Sequence, residues 1–378
     1  MRVLALEPYC GGSHRAFIDG WSAVSRHQWT VLELPAHKWK WRMRHSAVTF
    51  AGEVGERAVR GEKWDLIFCS DMLNLAEFLG LAPQAVRQLP AIIYFHENQL
   101  TYPVRFESDR DYQFAVTNMT SALAADSVWF NSAFHRDSFL DALQVFLRRM
   151  PDYQPIEVVE RIRSKSLVYP PGANATFRRG DRKPGPVRIL WAARWEHDKN
   201  AEGFFEALKI LRSRGIDFRV SVIGEQFREA PDVFEWARQH FAGRIDRWGY
   251  QRSRGEYEDA LTEADVFVST ARHEFFGITA VEAALAGAYP VLPRRLAYPE
   301  IFGLSDNKAA EQFFYDGSVA GLADRLTVLA ERVKTDSLWG ESAGKASRLV
   351  RQFEWDAVSQ ALDDAAEQVR SQHRAIRI

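Results

Sequence analysis

The sequence predicts an α/β protein built from two similar halves. In both halves, short segments rich in β-branched and aromatic residues alternate with helical periodicity, an alternation typical of parallel sheets. At 378 residues the chain is long enough for two domains of ordinary size. The charged stretch FRRGDRKPGP over 177–186 contains Pro and Gly and has no periodicity, which indicates a linker between the halves.

Each predicted element follows from a local pattern of apolar residues. Short β-branched or aromatic runs predict strands, and apolar positions at helical spacing predict helices. In the first half the predicted strands are 3–6, 29–34, 64–69, 91–95, 127–130 and 167–169, and the helices are 16–24, 73–79, 111–124, 134–150 and 156–163. In the second half the strands are 187–192, 218–223, 245–249, 265–269 and 289–292, and the helices are 201–213, 233–241, 257–263, 278–286, 317–333, 338–350 and 352–368.

These elements predict the division of the chain. We expect a first domain over residues 1–176, a linker over 177–186 and a second domain over 187–350. The segment 351–378 is predicted as a terminal helix that can pack back on the first domain. In such folds, ligands bind beyond the carboxyl ends of the parallel strands, so the loops at those ends are where functional residues are expected.

Composition and charge exclude several function classes. The formal net charge is −1, so nothing draws the chain as a whole to nucleic acid or an anionic membrane, and any polyanion contact must be local. No apolar run approaches the roughly 18 residues that span a bilayer, and the N-terminus turns polar too soon for a signal peptide. Cys10 and Cys69 are predicted to be reduced, semi-buried thiols. These features favour the cytoplasm and no membrane contact.

The segment 265–293 carries the most informative pattern in the second half. It predicts a strand, a polar loop ending in Phe275-Phe276-Gly277, a helix and another strand. The first turn of that helix offers unpaired N–H groups to a phosphate, and the glycine lets a ligand approach the backbone. Glu274 and Glu282 flank the helix start, and a carboxylate can accept two sugar hydroxyls at once. The alternative is a local cap at Glu274 and a solvated helix residue at Glu282.

Two further strand ends carry residues suited to phosphate groups. Arg194 and Lys199 share the loop after strand 187–192, as a diphosphate clamp requires, although they could equally be solvated charges. Gly11 and Gly12 separate the first strand from the first helix, where backbone amides often meet a phosphate, although tight turns use the same residues. Neither G-x-G-x-x-G nor G-x-x-x-x-G-K-[ST] occurs, which argues against a standard dinucleotide or P-loop site.

The segment 35–46, PAHKWKWRMRHS, interleaves positive charges with indole rings. Cations and tryptophans this close together are typical of a surface that binds a polyanion or stacks on bases. The alternative is a strand-like edge with one apolar and one cationic face, whose tryptophans pack on the core. We favour the functional interpretation because the chain as a whole is near neutral. The residues involved are Lys38, Trp39, Lys40, Trp41, Arg42 and Arg44.

His96 and Glu97 follow the predicted strand 91–95, at the end where an α/β fold builds its site. Neither this pair nor His273-Glu274 begins the zinc motif H-E-x-x-H, because no His stands three residues after either Glu. No metal site is therefore predicted. The alternative for His96 is a loop residue that holds a neighbouring carbonyl.

Arg194 with Lys199, and Glu274-x7-Glu282 around Phe276-Gly277, resemble the donor site of family-4 retaining glycosyltransferases with the GT-B fold. In that fold two Rossmann-like domains face each other across a cleft. The likeness implies that the two cations hold a nucleotide-sugar diphosphate, that Glu274 contacts the transferred sugar and that Glu282 holds the ribose. It implies His96 and Glu274 as catalytic residues and, as donor-binding residues, Gly11, Gly12, Arg194, Lys199, Gly224, Phe275, Phe276, Gly277, Ile278 and Glu282.

The first half carries a second, narrower resemblance. EPYCGGSH, PAHKWKWRMR and FHENQL are similar to segments of the tRNA-queuosine α-mannosyltransferases, so the likeness spans nearly the whole chain. That family transfers mannose from GDP-mannose to queuosine at the wobble position of aspartate tRNA, which implies tRNA as the partner. The implied acceptor and tRNA contacts are Ser13, His14, Lys38, Trp39, Lys40, Trp41, Arg42, Arg44, Glu97 and Asn98.

The resemblance also implies the mechanism: transfer with retention, without a metal or other cofactor. Because Glu274 and Glu282 are expected to hold hydroxyls, we favour front-side displacement within an ion pair over the covalent intermediate of a retaining glycosidase. One rival is a GT-B glycosyltransferase with another nucleotide-sugar and a glycan, lipid or small-molecule acceptor. Another is a catalytically silent tRNA- or nucleotide-binding protein, which the intact charged sets in the second half count against.

Overall fold

The computed structural model describes residues 1–104, 110–174, 177–226, 231–340 and 344–376. They form two compact units, one made of residues 1–172 with the terminal segment from Trp355, the other of Ala173–Glu354. Each unit contains a six-stranded sheet whose neighbouring strands pair in parallel, so the predicted α/β class is confirmed. The units change at 172/173 and 354/355; the predicted domain limit at 176 lies outside the described residues.

The first unit follows the predicted order of elements. Its strands are β1 (Arg2–Cys10), β2 (Gln28–Pro35), β3 (Leu66–Ser70), β4 (Ala91–Phe95), β5 (Ser127–Phe130) and β6 (Ser166–Val168). Its helices are α1 (Gly12–Val24), α2 (Trp39–Val59), α3 (Leu75–Leu81), α4 (Gln84–Arg87), α5 (Tyr112–Ala124), α6 (Ala133–Arg148) and α7 (Glu157–Arg163). The sheet order is β2-β1-β3-β4-β5-β6, so the order reverses between β1 and β3.

The central strands are buried, which explains why they appear in the sequence as short apolar runs. All residues of β3, β4 and β5 are buried, as expected for strands covered by helices on both faces. β1 extends further than the apolar run predicted. Its pairing with β2 is irregular between Glu7 and Cys10, where Pro8 lacks an N–H for the ladder, yet the strand continues to Cys10.

The segment 39–59 contradicts the strand-like alternative for the tryptophan-rich run. It forms the 21-residue helix α2, which buries Met43, Ala47, Phe50 and Val54. Those positions recur at intervals of three and four residues, the spacing of one helix face. The cations between them masked that period, because they fall on the opposite face of the helix.

The second unit repeats the arrangement. Its strands are β7 (Val187–Ala192), β8 (Phe218–Ile223), β9 (Ile245–Gly249), β10 (Val266–Val268), β11 (Tyr289–Pro293) and β12 (Phe314–Tyr315). Its helices are α8 (Ala201–Ser213), α9 (Val233–His240), α10 (Arg254–Glu263), α11 (Ile278–Ala286), α12 (Tyr298–Ile301), α13 (Val319–Lys334) and α14 (Lys345–Val350). The sheet order is β12-β11-β10-β7-β8-β9, and it reverses between β7 and β10.

The predicted linker belongs to the second unit. Arg179 and Arg182 both donate to the carboxylate of Asp265, at 2.9 and 3.0 Å, and Asp265 is fully buried. Asp265 also accepts from the backbone N–H of Arg188. A buried carboxylate needs such partners, and segment 177–186 supplies them. The charged, aperiodic segment 177–186 is therefore packed against the rest of the second unit and is not an unattached linker.

The terminal helix α15 (Trp355–Ile376) packs within the first unit. Asp363 of α15 accepts hydrogen bonds from the Trp21 indole at 2.8 Å and from the Ser25 hydroxyl at 2.7 Å. The Trp355 indole lies against Gly20 and Gly172, and a Cβ at either glycine would collide with it. Two glycines thus let the chain return to the first unit.

We expect Gly20→Ala to reduce the free energy of unfolding of the first unit by about 1–3 kcal/mol, because the added methyl must displace the Trp355 ring. Urea unfolding measures the change. Gly52→Ala in α2 is the matched control, since nothing lies within 4 Å of its added Cβ, and it should raise stability by up to about 1 kcal/mol. Equal effects of the two substitutions would contradict the packing argument.

Two predictions about chemistry and compartment have structural counterparts. Cys10 and Cys69 are both free and buried, as predicted. Burial and the nearby Glu33 raise the pKa of Cys10 to about 12, so its thiol is protonated at neutral pH. Across the residues that the structure describes, no helix combines the length and apolar character needed to cross a membrane.

Candidate functional site

In the second unit, the reversal of strand order brings two loops together. β7 and β10 pair directly, so the loops that leave their carboxyl ends are neighbours. The Trp191 indole donates to the Thr270 hydroxyl at 3.0 Å, and that hydroxyl donates to the carbonyl of Lys199 at 2.8 Å. The N–H of Arg272 donates to the carbonyl of Asp198 at 2.7 Å. These bonds fix the loop of Lys199 against the loop of Glu274.

Lys199 is the best-defined cation of this loop pair. Only 7% of it is exposed, and its Nζ lies 3.0 Å from Asp198, 3.5 Å from Glu274 and 2.9 Å from the carbonyl of His273. Burial acts to lower the pKa of Lys199, but the Glu274 and Asp198 carboxylates outweigh burial and raise it. The side chain is therefore a fixed positive charge. The alternative of a solvated loop charge is wrong for Lys199.

The other half of the predicted clamp is more open. The Arg194 side chain is 43% exposed and lies 3.4 Å from Glu196. It is close enough to Lys199 for its charge to act on the pKa of that lysine. Glu274 keeps 29% of its side chain exposed while it pairs with Lys199. Loop residues Arg194 and Glu274 thus remain accessible to a ligand, with Lys199 buried behind Glu274.

The start of α11 has the backbone that the sequence suggested. Gly277 precedes the helix at φ +90°, and a Cβ there would lie 2.6 Å from the Tyr298 ring, so only glycine fits. The N-cap Gly277 provides no side-chain hydrogen bond to the first turn, which begins at Ile278. Phe275 and Phe276 are buried. This segment can meet a ligand through its backbone, because the two phenyl rings point into the protein.

Glu282 is buried, so the alternative of a solvated helix residue is wrong. It is 7% exposed, and each carboxylate oxygen has a donor from α10: Arg254 at 2.8 Å and the Tyr257 hydroxyl at 2.6 Å. A carboxylate has further lone pairs, so both oxygens can still accept from a diol. Arg254 and Tyr257 were missed from the sequence, since nothing in α10 distinguishes them from surface residues.

A cavity that the sequence did not reveal lies beyond the carboxyl ends of β8 and β9. Its volume is about 380 Å³, and its lining residues are Glu225, Gln226, Arg238, Trp248, Gly249 and Tyr250. Gly224, which precedes it, has φ +149° and packs so closely on the carbonyl of Ala193 that a Cβ would collide. The glycine therefore joins two strand-end loops, and the cavity walls offer aromatic rings together with polar groups.

In the first unit, the carboxyl end of β1 leads directly into α1. Gly11 contacts Ala36 so closely that a Cβ would collide, and Gly12 has φ +52° with open space around it. Ser13 and His14 lie in the first turn of α1, where the N-cap Gly11 provides no side-chain bond. The predicted glycine pair thus opens a helix N-terminus at the position where strand order reverses, between β1 and β3.

A buried group of titratable residues surrounds His96. The His14 Nδ1 lies 3.2 Å from Glu7, and the His14 and His96 rings are in contact, with centroids 4.0 Å apart and planes inclined by 34°. The backbone N–H of His96 donates to Asp71 at 2.8 Å. The ligand atoms of Glu7, His14 and His96 lie within 4.8 Å of one another. Because the Glu7–His14 ion pair already balances the two charges, we interpret this group as an ion pair and not as a metal site.

One alternative for His96 was a hydrogen bond from its ring to a neighbouring carbonyl. The structure contradicts that alternative. The buried Nε2 of His96 has no hydrogen-bond partner among the described residues. Of its two neighbours in the predicted acceptor set, Glu97 is half-buried and accepts from the Gln99 amide at 3.3 Å. Asn98 is fully buried, and its side chain holds the turn 98–101. Glu97 is therefore accessible, whereas Asn98 already has a structural role.

The tryptophan-rich segment divides between core and surface. Trp39 packs on Phe114 with centroids 5.0 Å apart, as the packing alternative proposed. Trp41 is 62% exposed and its ring contacts that of His45, with centroids 4.9 Å apart. Arg42 donates to the Pro35 carbonyl at 3.0 Å. The first two turns of α2 and the residue before them thus present an indole among positive charges; the exposed members are Lys38, Lys40, Trp41 and Arg44.

Solved structures resemble the chain over nearly its whole length. Sucrose-phosphate synthase from Thermosynechococcus elongatus superimposes with a TM-score of 0.68 at 15% identity, over 98% of this chain and 100% of that one. Anabaena HepE in complex with UDP gives 0.65 at 15% identity, over 97% and 100%. This likeness shows the two-domain GT-B fold. A family model described as glycosyl transferases group 1 matches residues 174–345, so the chain is a glycosyltransferase.

A second family model, described as tRNA-queuosine alpha-mannosyltransferase N-terminal, matches residues 2–173. The Drosophila melanogaster tRNA-queuosine alpha-mannosyltransferase is 38% identical over 312 residues, which are 79% of this chain and 81% of that protein. The chain belongs to the tRNA-queuosine alpha-mannosyltransferase family. A GDP-mannose-dependent alpha-(1-6)-phosphatidylinositol dimannoside mannosyltransferase of Mycobacterium tuberculosis is 27% identical over 128 residues, 34% of this chain and 32% of that protein.

Proposed function

We propose that the protein transfers mannose from GDP-mannose to queuosine in the anticodon loop of tRNA-Asp, with retention of configuration. The observation that carries the proposal is the 38% identity to the Drosophila tRNA-queuosine alpha-mannosyltransferase over 81% of that relative. GDP-mannose as donor is supported by the name of the mycobacterial relative, which is GDP-mannose-dependent. The roles of individual residues belong to the same proposal.

The second unit binds the donor. The fixed charge of Lys199 and the exposed guanidinium of Arg194 suit a diphosphate, and the first turn of α11 offers backbone N–H groups. Glu282, oriented by Arg254 and Tyr257, accepts from the ribose hydroxyls. The cavity beyond β8 and β9 is our candidate for the nucleobase, because its tryptophan and tyrosine can pack on a flat ring.

Chemistry proceeds without a metal in this proposal. The bond between the sugar C1 and the diphosphate oxygen breaks, and a bond forms from C1 to a queuosine hydroxyl on the same face. The departing phosphate oxygen takes the hydroxyl proton. Lys199 and Arg194 neutralise the charge that develops on the diphosphate, the largest effect in such a step. Glu274 contacts the sugar through its exposed side. His96 is the candidate catalytic residue of the first unit.

The first unit binds the tRNA. The exposed face of α2 combines Trp41 with Lys38, Lys40 and Arg44, which suits a strand with unstacked bases and phosphates. Because the chain carries a formal net charge of −1, this local patch has to supply the phosphate contacts. Binding should therefore weaken with increasing salt concentration.

We expect Trp41→Ala to weaken tRNA binding by about tenfold, since stacking of one base on an aromatic ring contributes about 1–3 kcal/mol. Fluorescence anisotropy with queuosine-containing tRNA measures the change. Trp236→Ala is the matched control, because Trp236 also contacts a histidine four residues later in a helix of the second unit, His240 at 4.6 Å. Equal weakening by both substitutions would contradict a stacking role for Trp41.

The function is tested by incubating the purified protein with GDP-mannose and queuosine-containing tRNA in the presence of a chelator. Mass analysis of the digested nucleosides should show one added hexose on queuosine and none on tRNA that lacks queuosine. Binding of GDP-mannose without transfer would support the proposed donor site but favour a lipid, glycan or small-molecule acceptor. Transfer from a UDP-sugar and not from GDP-mannose would contradict the proposed donor. Loss of transfer with the chelator would overturn the metal-free mechanism.

We also propose the cytoplasm as the compartment. Free, buried cysteines are compatible with a reducing environment, and tRNA modification requires access to tRNA. Fractionation of cells that express a tagged full chain tests the location, and recovery with membranes or organelles would contradict it.

A further inference from the structure

We propose that Glu7 and Asp71 are positioning residues for His96: Asp71 fixes its backbone, and Glu7 holds the His14 ring against which the His96 imidazole packs. The inference rests on the proposed function, in which His96 is a catalytic residue. Glu7 is 1% exposed and Asp71 is 0% exposed, so both act on a substrate only through another residue.

The first route runs through the backbone of His96. Its N–H donates to Asp71 Oδ1 at 2.8 Å, and its carbonyl accepts from the Asn131 amide at 3.0 Å. Asp71 is itself held, because its carbonyl accepts from the Asn118 amide at 3.0 Å. Both backbone groups of His96 are therefore hydrogen-bonded, which fixes the turn after β4. Asp71 Oδ2 is buried with no partner in the described part of the chain, so a single oxygen carries this contact.

The second route runs through the imidazole rings. Glu7 Oε2 meets His14 Nδ1 at 3.2 Å, and Glu7 Oε1 accepts from the Ser70 hydroxyl at 3.0 Å and the Tyr9 N–H at 2.9 Å. The carboxylate therefore cannot turn away from His14. The His96 ring packs against His14 and forms a T-shaped contact with Phe17, with centroids 5.3 Å apart. Glu7 thus sets the position of the surface against which His96 rests.

The charges around His96 give this network a second effect. Burial alone would lower the pKa of His14, but the charge and hydrogen bond of Glu7 outweigh it and raise the pKa to about 9. Burial lowers the pKa of His96 well below its ordinary value, and His14 and His135 lower it further. Glu7 therefore keeps the proton on His14, and His96 stays a neutral imidazole over the working pH range.

The remaining charged groups that face the network act in known directions. Burial raises the pKa of Asp71 to about 8; His14 opposes this rise, and Glu97 and Glu7 add to it. Only Oδ1 of Asp71 contacts the His96 N–H, so Asp71→Asn, whose amide oxygen can accept the same hydrogen bond, should retain the contact. Asp71 and Glu97 also help to raise the pKa of His14.

The decisive variant is Glu7→Gln, which keeps the shape of the side chain and removes its charge. His14 should then lose its proton at neutral pH, and His96 no longer faces a cation at 4.0 Å. A proton that enters the pair at acid pH can then reside on His96. We expect the ratio of variant to unsubstituted transfer rate to fall about tenfold between pH 7.5 and 5.5. A merely structural role would lower the rate equally at every pH, and a constant ratio would overturn the proposal.

The state of the rings is measured independently of activity by NMR of the full chain with ¹⁵N-labelled histidine, with His14→Asn and His96→Asn used for assignment. The unsubstituted protein should show His14 protonated at pH 7 and titrating near pH 9, with His96 neutral at pH 6. In Glu7→Gln, His14 should be neutral at pH 7. A protonated His14 in that variant, or a neutral one in the unsubstituted protein, would overturn the proposal even if no transfer to tRNA is found. Absence of transfer with the expected spectra would instead refute the proposed function alone.

Stability separates positioning from folding. A group whose pKa is higher in the folded chain stabilises fully below its unfolded pKa of about 6.5, and that contribution is lost as pH rises through about 9. Glu7→Gln should abolish this pH dependence of unfolding. Asp363→Asn is the matched control, a buried carboxylate of the same unit bonded to Trp21, and should leave the pH profile of transfer unchanged. Should Glu7→Gln not fold, Ser70→Ala removes one donor to Glu7 and should show a smaller shift of the same sign.

The conservative pair at position 71 tests the backbone route. Asp71→Asn retains an oxygen that accepts from the His96 N–H and should keep transfer at pH 7 within about threefold of the unsubstituted rate. Asp71→Ala should reduce kcat at least tenfold with KM for the donor changed less, because binding groups in the second unit are untouched. Equal rates for the two variants would overturn the role of Asp71.

Discussion

Replacing Lys199 by Ala should reduce mannosyl transfer by about 10²–10³-fold, the loss typical of one group that stabilises developing charge. Lys199 is the buried cation of the loop pair, held by Asp198 at 3.0 Å and Glu274 at 3.5 Å. It cannot move away from a departing diphosphate, so no reorganisation is needed when the charge develops. The measurement is kcat with saturating GDP-mannose and queuosine-containing tRNA. A loss confined to KM would contradict this role.

Stability complicates that substitution, because removal of Lys199 leaves two carboxylates without their cation. Breaking a buried ion pair costs about 3–5 kcal/mol. Asp198→Asn is the matched variant: it breaks the same pair and leaves the cation in place, so it should lower the melting temperature and retain transfer within about tenfold. Lys209→Ala removes an exposed lysine of α8 and should change neither quantity. Equal transfer by the Lys199 and Asp198 variants would mean that folding, not charge, explains the loss.

The sequence predicted the class of fold because parallel strands are buried on both faces. β4, β5, β7 and β8 match their predicted limits residue for residue, since each is a short apolar run between polar turns. α2 was missed because its apolar stripe is interrupted by cations that lie on the exposed face. Segment 177–186 was predicted as a linker because its arginines were interpreted as surface charges, whereas two of them bind the buried Asp265. The sequence does not show such a partner, because it lies about 80 residues away in the chain.

The same limit applies to the site. The positions of Lys199, Glu274 and Gly277 at strand and helix ends followed from local pattern, because ligand-binding loops occur at those ends in parallel sheets. The groups that hold these residues did not follow. Arg254 and Tyr257 approach Glu282 from another helix, and only the folded chain brings them within 3 Å.

Replacing Glu282 by Gln should weaken binding of GDP by about 10–100-fold. Hydrogen bonds to a charged group contribute about 1.5–3 kcal/mol, and each 1.4 kcal/mol corresponds to a factor of ten. Both carboxylate oxygens of Glu282 are able to accept from a diol, whereas Gln offers one oxygen and an amide that must also face the Arg254 guanidinium. Calorimetry with GDP measures the loss without a transfer assay.

Glu258→Gln is the matched control, because Glu258 accepts from the same Arg254 at 2.8 Å. If Glu282 acted only by fixing Arg254, both substitutions would weaken GDP binding alike. If Glu282 accepts directly from the ribose, Glu258→Gln should change GDP affinity by less than about threefold. The unsubstituted protein should also bind 2′-deoxy-GDP more weakly than GDP, whereas Glu282→Gln should bind the two nucleotides almost equally. A ribose contact requires that Glu282→Gln lose this discrimination between GDP and 2′-deoxy-GDP. If the variant keeps it, the ribose does not bind at Glu282.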